Sequence, residues 1–174
     1  MGISRVRMFA GSNGSGKTEL IKRLRESGLP LVPIVNADLI LETLQNTGFI
    51  DLKDFRLTNI SDQDWEKALE EIDELASRVQ KADNIPPVKI KQDVLVCNSD
   101  DLNAYVAALI SDFIRYMMLE QKISFSFETV MSHPGKIDFL KIARQKGFKT
   151  YLYFIATDDP EINVSPYFSK IFMV

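Results

Sequence analysis

Val6-Arg7-Met8-Phe9-Ala10-Gly11-Ser12-Asn13-Gly14-Ser15-Gly16-Lys17-Thr18 is the stretch on which the fold turns. Val6 to Ala10 is a compact apolar run that ends in glycine. After Gly16, residues Leu20, Ile21 and Leu24 recur at helical spacing up to Gly28. The pattern predicts a strand, a loop and a helix in succession, with Gly28 as the C-terminal cap of the helix. Glycines in such a loop let consecutive backbone N–H groups turn inward, and the helix that follows adds the positive pole of its dipole. A turn of this kind attracts phosphate.

Downstream, Leu31 to Val35 reads as a second strand, and Pro33, which has no N–H to donate to a central ladder, favours an edge position. Asp38 follows where that strand ends. From Ser61, a plausible N-cap, the positions Trp65, Leu69, Ile72, Leu75, Ala76 and Val79 form one helical stripe. Ile85-Pro86-Pro87 stops any helix, and Val88 to Val96 fits either a short extended segment or an irregular loop. Ser99-Asp100-Asp101 opens the longest predicted helix, whose apolar positions run from Leu102 to Met118. Ile123 to Phe127 alternates with period two and delivers Glu128, Pro134 starts a helix that runs to Gly147, and Thr150 to Ala156 is the last clear strand.

Strands separated by helices predict an α/β fold with a mostly parallel sheet and right-handed crossovers, in the three-layer arrangement of P-loop NTPases. The whole chain, 1–174, is expected to form a single domain. Residues 43–122 are too many for one crossover, so they are expected to be a helical insertion between the second and third strands, stacked on a sheet edge and shaping a substrate pocket. Residues 157–174 are left as a truncated lid or tail.

Bulk composition narrows the function. A chain of 174 residues with 45% apolar content buries roughly two-thirds of its unfolded surface in one core. A net charge of −3 and a pI near 5.3 supply no broad positive field, which argues against nucleic acid as a partner and leaves small anions, which need only local charge. Cys97 is alone, so neither a disulfide framework nor a cysteine-rich zinc site is available, and a reducing compartment fits. The apolar run before Gly11 is too brief for a signal segment or a membrane span, and Val6 stands where a myristoylation signal needs Ser or Thr. The expectation is a soluble, cytoplasmic protein with no membrane partner.

Gly11 to Thr18 matches G-x-x-x-x-G-K-[ST], which average composition produces by chance in a chain of this size less than about 1% of the time. Within it Gly11, Ser12, Asn13, Gly14, Ser15 and Gly16 form the expected phosphate cradle, Lys17 reaches the β and γ phosphates, and the Thr18 hydroxyl ligates Mg²⁺. The implied ligands are ATP or GTP with Mg²⁺. Two roles fit Asp38: a base facing the γ-phosphate, or, in competition with Asn36, a cap for a helix beginning at Leu39. Glu128 ends an apolar strand, where an acidic residue can hold a metal-bound water or a substrate hydroxyl; capping the turn toward Pro134 is the alternative. Thr129 can hydrogen-bond beside it. His133 has no evident partner and is assigned no metal or catalytic role. Asp158 and Asp159 before Pro160 read as a helix N-cap.

With these residues in order, the chain resembles the zeta-toxin-like P-loop kinases, a family that includes sugar-nucleotide kinases acting on UDP-N-acetylglucosamine. The matching segments are Gly11 to Thr18, then Val35-Asn36-Ala37-Asp38, then Phe127-Glu128-Thr129-Val130-Met131-Ser132, then the run from Ala143 to Ala156. The resemblance implies an ATP-dependent kinase: Asp38 is the base for an acceptor hydroxyl, Lys17 and Thr18 organise the triphosphate and Mg²⁺, and Glu128 with Thr129 contacts a small acceptor such as a UDP-amino sugar. The departure comes after Ser165, where the family continues into a helical lid whose arginines clamp the γ-phosphate; here the last arginine is Arg144. Such arginines are worth about 10³ to 10⁵ in rate, roughly 4 to 7 kcal/mol. A catalytically impaired nucleotide-binding module, or pseudokinase, is therefore the alternative. A further one, resting on the resemblance alone, is a toxin with an antitoxin-like protein partner.

Overall fold

A computed structural model describes residues 2–31, 33–72, 75–77, 87–97, 102–130, 135–157 and 169–173. Val79, Pro86, Ser99 to Asp101, His133, Pro134 and Asp158 to Pro160, to which the sequence gives roles above, lie outside the described residues. The chain divides into two compact units, one made of 1–34 with 122–174 and the other of 35–121.

The first unit is built around strand β1, Arg5–Gly11. It pairs in parallel with β6, Phe125–Thr129, on one side and with β7, Lys149–Thr157, on the other. The edges are β2, Ile34–Val35, beside β6, and β8, Ser169–Met173, antiparallel to β7. A strand paired on both edges and covered on both faces reads as a continuous apolar run, and every residue of β1 from Val6 on is buried. The edge position expected from Pro33 is observed, with the Pro33 carbonyl accepting the Ser126 N–H at 2.9 Å. Of the described residues in the predicted second strand, Ile34 and Val35 form the strand.

Alternation along β1 divides the core into two layers. Phe9 stacks on Tyr153, ring centroids 4.7 Å apart, and packs with Leu31 and with Ile21 of helix α1, Lys17–Glu26. Val6 and Met8 face the other way, in register with Phe125 and Phe127, and Phe139 of helix α5, Gly135–Gln145, closes that face edge-on to Phe127 at 5.4 Å. The unit is thus a three-layer α/β arrangement with a mostly parallel sheet. Arg7 is a cation in this apolar strand, 5% exposed; its guanidinium donates to the Pro30 carbonyl at 3.1 Å and lies 5.3 Å from the centre of the Tyr151 ring.

Both long helices of this unit stop at glycine for a local reason. At α1 the Gly28 N–H bonds the Arg25 carbonyl and the Leu29 N–H the Leu24 carbonyl, with Gly28 at φ 87°. Gly147 and Phe148 make the same pair of bonds to Arg144 and Ala143. Only a residue free to take positive φ closes this double turn cheaply.

The second unit corrects the expectation of a helical insertion. It contains helices α2, Ala37–Thr47, α3, Asp62–Glu71, and α4, Ala104–Glu120, but also an antiparallel sheet in the order β3, Phe49–Asp51, β5, Val94–Cys97, β4, Val88–Lys91. The ambiguous segment after Pro87 is a two-residue hairpin whose turn residues, Gln92 at φ 53° and Asp93 at φ 64°, both take the left-handed conformation. Asp93 is held there from outside the hairpin, because its carboxylate accepts the Ile60 N–H at 2.7 Å and its carbonyl the Leu52 N–H at 2.9 Å. Ser61 caps α3 as expected, its N–H and hydroxyl both donating to Asp64 Oδ2. That helix ends at Ile72, which turns extended, so the predicted stripe is broken there. The N-cap of α4 is Asn103, whose Oδ1 accepts the N–H groups of Tyr105 and Val106. Trp65 meets Phe113 edge-on at 5.0 Å and ties α3 to α4.

Asp93 gives the second unit a sharp test. Asp93→Gly removes the carboxylate but keeps the backbone free to turn, and is expected to cost about 1–2 kcal/mol in urea unfolding. Asp93→Ala adds the left-handed penalty of a side chain, about 1 kcal/mol more. Equal midpoints for the two variants would show that the turn relaxes out of positive φ and that its conformation is not held.

Candidate functional site

The loop between β1 and α1 is built from its glycines outward. A Cβ on Gly11 would lie 2.7 Å from the Ile155 carbonyl oxygen of β7 and 2.7 Å from Ser15 Oγ, so only glycine lets β1 finish this close to its neighbour. Gly14 at φ 76° and Gly16 at φ 88° take positive values with open space around them; what they supply is backbone direction. Between them the Ser15 N–H bonds the Ser12 carbonyl at 3.2 Å. Gly16 is the N-cap of α1 and provides no capping side chain, so the helix presents its first N–H groups to the loop.

Lys17 folds back over this loop. Its Nζ donates to the Gly11 carbonyl at 2.9 Å and the Ser12 carbonyl at 2.8 Å, which places the ammonium at the mouth of the turn. Ser15 is 7% exposed, and its Oγ finds no hydrogen-bond partner among the described residues. A buried hydroxyl left so costs about 1–3 kcal/mol unless something satisfies it. Thr18, second residue of α1, is exposed. One turn of helix then carries Glu19, whose Oε1 accepts from Arg23 Nε at 2.8 Å; that hydrogen bond, and then the guanidinium charge, hold its carboxyl below the usual carboxylate range.

Glu128 and Thr129 end β6 beside the last residues of β1, in register with Phe9 and Ala10. Both are half-buried. The structure therefore brings the loop residues 11–18 together with Glu128 and Thr129 at the C-terminal edge of one parallel sheet, where α/β folds place ligands.

Asp38 belongs to the second unit. It is exposed on the first turn of α2, and Asn36 does the capping, with Oδ1 accepting the Asp38 N–H at 2.8 Å and the Leu39 N–H at 3.4 Å. The helix starts at Ala37 and not at Leu39. That arrangement leaves the Asp38 carboxylate outside the cap. Among the described residues no group of three or more His, Cys, Asp or Glu is placed to hold a metal ion, and no helix is long and apolar enough to cross a membrane.

Sequence reasoning overlooked a second feature of the first unit, a groove along α5 and the start of β7 lined by Lys141, Arg144 and Lys149. The cations were visible in the run Lys141 to Lys149, but periodicity assigns them to the last turn of a helix and hides their convergence on a strand edge. Comparison with protein-family models, with curated proteins and with solved structures gives no match for this chain.

Gly11→Ala tests the geometry of the loop directly. The clash with a backbone carbonyl predicts a loss of about 1–3 kcal/mol in unfolding free energy. Gly14→Ala, with open space around it, is expected to lose about 1 kcal/mol from its positive φ alone. Urea titration of the two side by side checks the order; a Gly11 variant as stable as the Gly14 variant would mean that β7 yields at no cost.

Proposed function

We propose that the loop Gly11 to Thr18 binds the phosphates of a purine nucleoside triphosphate with Mg²⁺, and that the protein is a kinase of the zeta-toxin-like type acting on a small hydroxylated acceptor. The observation that carries the nucleotide reading is the presence of two kinds of donor on one loop: the N-terminus of α1, which has no capping side chain, and the Lys17 ammonium folded over the Gly11 and Ser12 carbonyls. Both favour an anion, and a phosphate suits them because every one of its oxygens accepts.

These residues suit the metal as well. Mg²⁺ keeps most of its waters and asks the protein for one or two oxygens, so the absence of a carboxylate cluster among the described residues is no obstacle and the exposed Thr18 hydroxyl at the start of α1 is sufficient. When bound, the ion neutralises charge on the β and γ phosphates. Lys17 holds the terminal phosphates in line, and the loop N–H groups orient the chain of phosphoryl groups so that little reorganisation accompanies transfer. Glu128 and Thr129, ending the neighbouring strand, are the groups through which an acceptor hydroxyl is positioned. Asp38 is taken as the base on the strength of the family resemblance; its exposed carboxylate is free of the capping role that Asn36 performs.

Calorimetric titration with ATP and Mg²⁺, and with GTP and Mg²⁺, is the experiment. Lys17→Ala removes charge-assisted hydrogen bonds worth about 1.5–3 kcal/mol, so affinity is expected to fall by about 10- to 150-fold. In a γ-phosphate transfer assay with UDP-N-acetylglucosamine, Asp38→Asn is expected to keep nucleotide affinity and lose turnover by about 100-fold or more. Absence of saturable heat with either nucleotide on folded protein would end the whole proposal. Nucleotide binding without transfer to any hydroxylated acceptor would end the kinase part and leave a binding module.

A further inference from the structure

One buried cation of the first unit stands outside the loop described above. Lys136, the second residue of α5, is 9% exposed and lies on the side of the helix that also buries Phe139 and Ala143. The three are spaced i, i+3, i+7, one stripe turned to the sheet. A lysine is out of place there on two counts. Its ammonium loses water, and it does so in the first turn of a helix, where the unpaired N–H groups already carry the positive end of the dipole. A lysine at the rim of a core can cover apolar surface with its stem and keep its head in water, but at 9% exposure little of this side chain is left in solvent.

Strand pairing tells what lies beneath it. Phe125, Phe127 and Thr129 alternate onto one face of β6, in register with Val6, Met8 and Ala10 on the same face of β1. Phe139 meets Phe127 at 5.4 Å and Phe125 at 6.3 Å, so it is seated over the middle of that face. Helix α5 runs back against the strands: Thr129 before it ends β6 beside Ala10, whereas Lys149 after it starts β7 opposite Arg5. From Phe139 back to Lys136 the helix advances about 4.5 Å, and from Phe127 to Thr129 the strand advances about 6.6 Å in the same direction. Lys136 is therefore carried over Thr129 and Ala10, the last residues of that face before Gly11. Helical side chains slope toward the N-terminus of their helix, which takes the ammonium further toward the C-terminal edge of the sheet, where the loop begins. Asp138, the acid of the same turn, is exposed two residues on and pairs with Lys141 at 2.7 Å.

We propose that Lys136 is a second cation of the phosphate site, touching the terminal phosphoryl group of the bound triphosphate from the α5 side of the sheet while Lys17 holds the phosphates from the α1 side. The inference rests on the nucleotide reading given under the proposed function. In that reading Thr129 positions the acceptor, so the group in transfer lies between the loop and Thr129, within the span of Lys136. A fixed cation beside the phosphoryl oxygens stabilises the charge that spreads over them during transfer. A buried ammonium does so more strongly than an exposed one, because Coulomb interactions strengthen as water is removed. Lys136 forms no covalent bond in the step and gives up no proton.

Calorimetric titration of the full chain with Mg²⁺ and either ADP or a non-hydrolysable ATP analogue separates this contact from a packing role, since the two ligands differ by the terminal phosphoryl group. For Lys136→Met, affinity for the analogue is expected to fall about tenfold or more while affinity for ADP stays within about twofold. Lys136→Arg keeps the charge and is expected to hold the analogue within about threefold of the unaltered chain. Equal loss for both ligands, or no loss for either, would overturn the proposal, because both results belong to a lysine that only packs. Urea midpoints check that each variant is folded. Should Lys136→Met not fold, acetylation of lysines on the unaltered chain, read by mass spectrometry, is expected to be slowed at Lys136 more by the analogue than by ADP; equal rates would count against the contact. An unaltered chain that binds neither ligand defeats the nucleotide reading and this inference together, whereas binding of both with Lys136→Met indifferent to the terminal group defeats this inference alone.

Discussion

The approach of Gly11 to the carbonyl of Ile155 is the constraint on which the first unit depends. A strand paired in parallel on both edges must end without pushing its neighbours apart, and at 2.7 Å there is no room for a side chain at that point. With the strand ended there, its carbonyl is free to receive Lys17, and the chain has only the short run to Gly16 in which to reverse and enter α1. Phe9, two residues earlier, is fixed by the same pairing and stacks on Tyr153, which anchors the helix that the loop must reach. Packing and loop geometry are thus set by one contact. A loop positioned by a buried strand on one side and a packed helix on the other keeps its N–H groups aimed without a ligand, which is what preorganisation requires.

How much of this was legible depended on how local the cause was. The loop, the glycine stops of α1 and α5 and the Ser61 cap each arise from residues within one turn of chain, and each stands in the structure where the sequence placed it. The hairpin of β4 and β5 escaped because its turn is Gln92-Asp93, not the Asn-Gly that announces such a turn. Its positive φ at Asp93 is stabilised by Ile60 and Leu52, far along the chain, and no window of sequence contains that cause. Periodicity failed at Ile72 for the opposite reason: the apolar repeat continues past the point where the backbone turns extended. At the candidate site the glycines, Lys17 and the strand-end Glu128 were readable from spacing, whereas the choice between Asn36 and Asp38 as the cap required the hydrogen bonds themselves.

Electrostatics in this chain is local rather than global. A net charge of −3 gives no long-range attraction for anions, yet both ends of the parallel sheet gather donors. At the C-terminal edge they are backbone N–H groups and Lys17, a short-range and geometrically exacting set that suits compact phosphates. At the N-terminal end of β7 they are the exposed side chains of Lys141, Arg144 and Lys149 along one groove. The difference follows from position: parallel strands point their C-terminal ends at loops that enter helices by the positive pole, whereas helix C-termini return at the other end and draw lysine and arginine to their last turns.

Lys17 ties these considerations to energetics. Its ammonium is shared between the Gly11 and Ser12 carbonyls at 2.9 and 2.8 Å, so the loop carries its own counter-group before any anion arrives. A lysine left in water would pay rotamer entropy of up to about 2 kcal/mol on binding; here the side chain is already bent back over the loop, and that loss is charged to folding. The buried Ser15 hydroxyl stays inside the turn because its cost is borne by a scaffold that β1, β7 and α1 fix independently.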